Sequence, residues 1–116
     1  MFKVAIIGGE NSGNYKMFAT KCIYYLKNKA SEGITILSLG DNYINAFAKA
    51  TNIDVKEYFV DWGKFGKNAL KIRAHFIISE CDALILFDNG TKEFNMYKKI
   101  ATEAKIPLRI VSINED

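Results

Sequence analysis

The chain is poor in the residues that build metal centres and covalent frameworks. One histidine, His75, and two cysteines, Cys22 and Cys81, are all it offers a transition metal. They lie too far apart in sequence to make a ligand set, so no metal site is expected. Two cysteines are also too few for the disulfide scaffold of a small secreted protein. Each stands among apolar neighbours, where a buried thiol in a reducing, cytoplasmic setting is the expectation. Arginine is nearly as scarce: Arg73 and Arg109 stand against fourteen lysines, and the net charge is only +3. The lysines are scattered, which reads as solvated surface and argues against nucleic acid as a partner. No apolar run reaches the roughly 20 residues that span a bilayer. The opening "MFKVAIIGGE" turns polar too soon for a signal peptide, so no membrane association is expected. With one proline and no linker or low-complexity tract, the 116 residues read as a single domain, 1–116.

What the chain does have is alternation. "FKVAIIG" at 2–8, "GITILSLG" at 33–40, "KEYFV" at 56–60, "DALILF" at 82–87 and "IPLRIVSI" at 106–113 are short, largely apolar runs of strand type. Between them, residues 14–29, 42–51, 68–80 and 91–104 carry apolar positions at helical spacing. In the first, Tyr15, Phe18, Ala19, Cys22, Tyr25 and Leu26 form the stripe, with Ser12 or Asn14 as cap. The inward residues expected in the others are Ile44, Phe47 and Ala48, then Ile72, Phe76 and Ile77, then Phe94, Tyr97, Ile100, Ala101 and Ala104. Strand and helix in strict turn predict an α/β domain with a parallel sheet covered by helices on both faces. Strand orders 3-2-1-4-5 and 2-1-3-4-5 both fit, and in either the loop after the first strand lines the ligand crevice.

The suggestive residues all follow strands. The first loop, "GGENSGN", sets Gly8 and Gly9 where backbone N–H groups can approach an anion. It is not a P-loop, because Asn14 and Tyr15 stand where lysine and a hydroxyl residue belong, and no G-x-G-x-x-G is present. The fourth loop, "DNGTKEF", offers Asn89, Gly90 and Thr91 at a helix start, with Thr91 expected to cap that helix. In the third, "DWGKFGKNALKIR", Trp62 and Phe65 suit stacking and Lys64, Lys67 and Arg73 suit phosphate, the alternative being Trp62 closing the core edge with the lysines in water. Glu10, Asp41, Asp61, Asp88 and Glu93 are acids near the same edge. Their spacing selects no pair for acid–base work. His75, in mid-helix with no nucleophile beside it, reads as structural.

The stretch "DWGKFGKNALKIRAHFIISECDALILFDNGTKEF" resembles the signature of YspA-like proteins of the SLOG superfamily. That superfamily also holds the LOG-type phosphoribohydrolases and the DprA/Smf proteins. The similarity covers most of the chain and is strongest over 60–113. It implies a three-layer Rossmann-like sheet of five strands in the order 3-2-1-4-5, and a nucleotide or nucleotide-derived ligand at the sheet's carboxyl edge. The ligand-binding residues it points to are Gly8, Gly9, Glu10, Gly40, Asp41, Trp62, Lys64, Phe65, Lys67, Arg73, Asn89, Gly90 and Thr91. YspA-like members are frequent in phages and prophages, and family members often form homodimers or higher homo-oligomers.

The departures bear on chemistry. Gly9 and Glu10 stand where the family has a small residue and an arginine. Leu39 replaces a glycine of the second loop, and Ala74 replaces the asparagine after the helix arginine. Asn89 precedes Gly90 where the enzyme branch has paired glycines. No catalytic residue is assigned; Glu93 and Glu10 are the candidate carboxylates. The expectation is a sensor or sequestering protein that binds its ligand without a cofactor and without turnover. The alternatives are an N-glycosidic nucleotide hydrolase and a DprA-like accessory protein for single-stranded DNA.

Overall fold

The structure, a computed structural model, describes residues 1–112. Five parallel strands run β1 (Phe2–Ile7), β2 (Ile34–Ser38), β3 (Asp54–Glu57), β4 (Ala83–Asp88) and β5 (Leu108–Ser112). They lie in the order β3-β2-β1-β4-β5, the first of the two the alternation allowed. Helices α1 (Tyr15–Leu26) and α2 (Asn42–Thr51) follow β1 and β2. A four-residue helix α3 (Trp62–Phe65) precedes α4 (Ala69–Glu80), and α5 (Lys92–Glu103) joins β4 to β5.

The period-2 rule divides the core into two layers. Val4, Ile6, Ile36, Ile85 and Phe87 pack against α1 and α2 through Phe18, Cys22, Ile44 and Phe47. Ala5, Ile7, Leu37, Leu84 and Leu86 pack against α4 and α5 through Ala74, Ile77, Ile78, Tyr97 and Ile100. Strands apolar on both sides are therefore buried on both sides. Phe18, fully buried, contributes about 1.5–3 kcal/mol by leaving water. Both cysteines are free and buried. Burial pushes the Cys22 thiol up to about 12, with Asp41 adding to the rise. Cys81 rises to about 11, also chiefly through burial.

Three local expectations are corrected. The third strand lies at Asp54–Glu57 rather than 56–60. As an edge strand it can pair only where β2 offers partners, from Thr35↔Asp54 to Ser38↔Glu57. One further bond, Tyr58 N–H to the Ser38 carbonyl at 2.8 Å, ends the ladder. The apolar "YFV" then leaves the sheet, and Phe59 is exposed. In α4 the buried face is Ala69, Ala74, Ile77 and Ile78. Phe76 points outward and Ile72 is half-buried, because the sheet selects the small Ala74 for close approach. In α5, Phe94, Tyr97, Ile100 and Ala101 are buried as expected, while Ala104 is the exposed C-cap. The expected continuation of the last strand to Ile113 lies outside the described residues.

Candidate functional site

In the observed order the strands reverse direction of succession between β1 and β4, which is where open α/β sheets bind ligands. Loop 1 is built to sit there. Gly8 has φ 81°, a left-handed conformation that other residues adopt at a cost. A Cβ at Gly8 would meet Phe94 Cε2 at 2.6 Å, the Phe87 carbonyl at 2.7 Å and Asn11 Nδ2 at 2.9 Å. Asn11 Nδ2 donates to the Phe87 carbonyl at 2.9 Å, so loop 1 is fastened to the end of β4. Gly9 is needed for packing: a Cβ there would lie 2.5 Å from the Phe18 ring. Residues Gly9–Ser12 then make a 3-10 turn, and Asn14 caps α1 by accepting from Met17 N–H at 3.1 Å.

Above this joint lies a cleft of about 350 Å³, lined by the loops after β1, β2 and β4 together with side chains of α4 and α5. Of the residues expected from sequence, Gly8, Gly40, Asp41, Arg73, Asn89 and Glu93 line it. Lys64 and Phe65 line a neighbouring groove instead. Trp62 and Lys67 are exposed and line neither. Gly9, Glu10, Gly90 and Thr91 stand beside the cleft without lining it. Sequence reasoning missed Asn11, Leu39 and Tyr97 as wall residues. Only Tyr97 carried a usable signal, its spacing of four from Glu93 on one helix face.

The two helix N-termini at this edge are treated differently. At α2, Asp41 Oδ1 accepts from Tyr43 N–H at 2.8 Å and from Ile44 N–H at 3.3 Å. Its Oδ2 accepts from Glu10 N–H at 2.8 Å. Glu10 returns the contact, its Oε2 accepting from Asn42 N–H at 2.8 Å. Two carboxylates thus fill the positive end of α2. At α5, Thr91 gives its hydroxyl to Asn89 Oδ1 at 2.8 Å and caps nothing. Asp88 holds this loop: Oδ1 accepts from Gly90 N–H and Oδ2 from Lys98 Nζ, each at 2.8 Å. The bond to Lys98, helped by the one from Gly90, holds the Asp88 carboxyl below its ordinary value.

The far wall carries Arg73, Glu93 and Tyr97. The Tyr97 hydroxyl donates to Glu93 Oε2 at 2.8 Å. Burial, then the bond to Glu93, holds the phenol well above its usual range, with the nearby Arg73 guanidinium opposing the rise. Arg73 Nε is buried and finds no hydrogen-bond partner among the described residues. No group of three or more His, Cys, Asp or Glu side chains among the described residues is placed to hold a metal ion. No helix among them is long and apolar enough to cross a membrane.

A larger hollow of about 530 Å³ lies between α1 and β5, with Lys21 as the only charged wall residue among those described. It borders loop 1 only through Ser12 and, among the described residues, gathers no converging polar set.

No family model matches the chain, and no curated protein matches it. Among solved structures it is similar to the X-ray structure of TM1055, with a TM-score of 0.66 and 12% sequence identity. The alignment covers 93% of this chain and 72% of that one. At that identity the likeness shows the fold alone, a Rossmann-like α/β sheet.

Proposed function

We propose that the protein is a SLOG-type, YspA-like binder of a nucleotide or nucleotide-derived molecule, held in the β1/β4 cleft without being turned over. The observation that carries this reading is Arg73, which lines the cleft and whose buried Nε finds no hydrogen-bond partner among the described residues. Leaving such a group unpaired costs about 1–3 kcal/mol, more for a charged one. An anionic ligand group accepting from the guanidinium would recover that cost through a charge-assisted, forked contact.

The carboxylates favour binding over hydrolysis. Glycosidic cleavage commonly uses two of them, one as acid and one as base or nucleophile. Glu10 and Asp41 are both committed to the α2 terminus. That leaves Glu93 alone in the cleft, already accepting from Tyr97. The hydrolase reading keeps one point in its favour, since Glu93 and Arg73 line the same space. Chromatography for free base after incubation with nucleoside monophosphates separates the two, and release of base at catalytic rates would establish the hydrolase.

Binding is tested by calorimetry with AMP, ADP-ribose and cyclic nucleotides. At least one should bind saturably, and Arg73→Ala should weaken it tenfold or more. Flat titrations across the panel would overturn the proposal.

A further inference from the structure

Resting on that reading, we propose that the ligand's planar base is seated outside the cleft, in the aromatic groove on the other side of Arg73. This groove, about 270 Å³, is lined by Phe59, Phe65 and Phe76, with Lys64 and Arg73 as its cations. Arg73 is a wall of both hollows. A molecule held by the guanidinium on the cleft side therefore has a second cavity within reach of the same side chain.

The groove has the chemistry of a stacking platform. Phe59 is 76% exposed and Phe76 52% exposed, a large aromatic surface left in water. Phe76 follows Arg73 by three residues on α4, so the ring and the cation share one helix face. Phe65 is presented by α3, which Asp61 caps by accepting from Lys64 N–H at 3.0 Å. The Lys64 ammonium lies 5.3 Å from the Phe65 ring centroid. Aromatic faces bordered by cations bind bases with little regard to sequence, because every base has a π-face. The ligand class is therefore a nucleoside phosphate, with its anionic group at Arg73 on the cleft side and its base among the phenylalanines. Trp62 lies three residues before Phe65 on the same short helix and reports on this groove rather than forming it.

The test compares AMP and GMP with ribose 5-phosphate by calorimetry, on the natural protein and on Phe76→Ala and Arg73→Ala. Phe76 is exposed, so its truncation leaves the core intact. The nucleotides should bind at least tenfold tighter than ribose 5-phosphate. Phe76→Ala should remove most of that advantage and leave ribose 5-phosphate unchanged, while Arg73→Ala weakens all three. Trp62 fluorescence should respond to the nucleotides and not to the sugar phosphate. If ribose 5-phosphate binds through Arg73 and the base adds nothing, the base seat is wrong and the cleft reading survives. If none of the three binds, both fall. If Phe76→Ala instead converts a dimer to a monomer on a sizing column with no effect on nucleotide affinity, the groove is a self-association surface and the proposal is overturned.

Discussion

The N-termini of α2 and α5 both lie at the carboxyl edge, yet the residue in the capping position accepts from the first turn at α2 and not at α5. At α2 the unpaired N–H groups of the first turn are met by Asp41 and by Glu10, which reaches across from loop 1. At α5 the residue in the capping position spends its hydroxyl on Asn89. A helix end offers partial positive charge and free donors whichever loop it follows. Whether it can serve a ligand depends on whether the chain has already supplied an anion. Where the resembled family has an arginine, this chain has Glu10, whose carboxylate accepts from Asn42 N–H and ties β1's loop to α2.

The largest expected effect comes from breaking the joint on which both ends rest. Gly8→Ala places a methyl within 3 Å of Phe94, Phe87 and Asn11 at a left-handed backbone. It should cost more than about 2 kcal/mol, read as a lowered urea midpoint with an unchanged slope. Asp41→Ala should cost about 1–2 kcal/mol, because it strips two caps from α2 and the partner of Glu10 N–H. Glu10→Gln should cost less, about 0.5 kcal/mol, and should leave nucleotide affinity within twofold. A tenfold loss of affinity there would return Glu10 to the binding site.

A gentler change sharpens the contrast at α5. Thr91→Ala should alter stability by under about 0.5 kcal/mol, since the hydroxyl caps no helix. Thr91→Asp should supply the missing cap, stabilise by a few tenths of a kcal/mol, and weaken nucleotide binding by placing a negative charge beside Arg73's cleft. Equal affinities for the two variants would separate the ligand from the α5 end.

The smallest effect concerns pH. The folded Asp88 carboxyl titrates below its unfolded value because Lys98 and Gly90 N–H favour the ionised form. Its stabilising contribution is therefore present above the ordinary carboxylate value and is lost as pH falls through the lowered folded one. The pair is partly exposed, with side-chain accessibilities of 30% for Lys98 and 13% for Asp88. About 0.5–1 kcal/mol is the expected scale after solvent screening. Asp88→Asn should flatten that part of the acid limb in a pH series of urea melts.

The architecture was legible because local signals and the fold agree. Apolar runs free of polar alternation implied strands buried on both faces, and residues such as Phe18, Phe47 and Tyr97 fell at helical spacing toward the sheet. The third strand was misplaced because "YFV" is more apolar than "DVKE", and an edge strand is set by its neighbour's register rather than its own hydrophobicity. Phe76 misled for a related reason: its apolar character suited the core, while the space available suited Ala74. Within the candidate site, Gly8 and Asp41 were visible as residue types fitted to loops after strands, and Arg73 as a cation on the helix after the third strand. The Glu10–Asn42 bond spans 32 residues and the Asn11–Phe87 bond spans 76. No local pattern reports such contacts. The short helix α3 hid because two glycines in "WGKFGK" mask it, although Asp61 caps it in the ordinary way.

The central claim is that Arg73 Nε–H is a donor awaiting a ligand. The chain holds only two arginines, so a ¹⁵N correlation spectrum has two Nε–H signals, assignable with Arg73→Lys and with Arg109 as an internal control. On titration with AMP, the Arg73 signal should shift saturably while that of Arg109 stays in place. Two unmoved signals at saturating nucleotide, or equal small drifts of both, would contradict the claim.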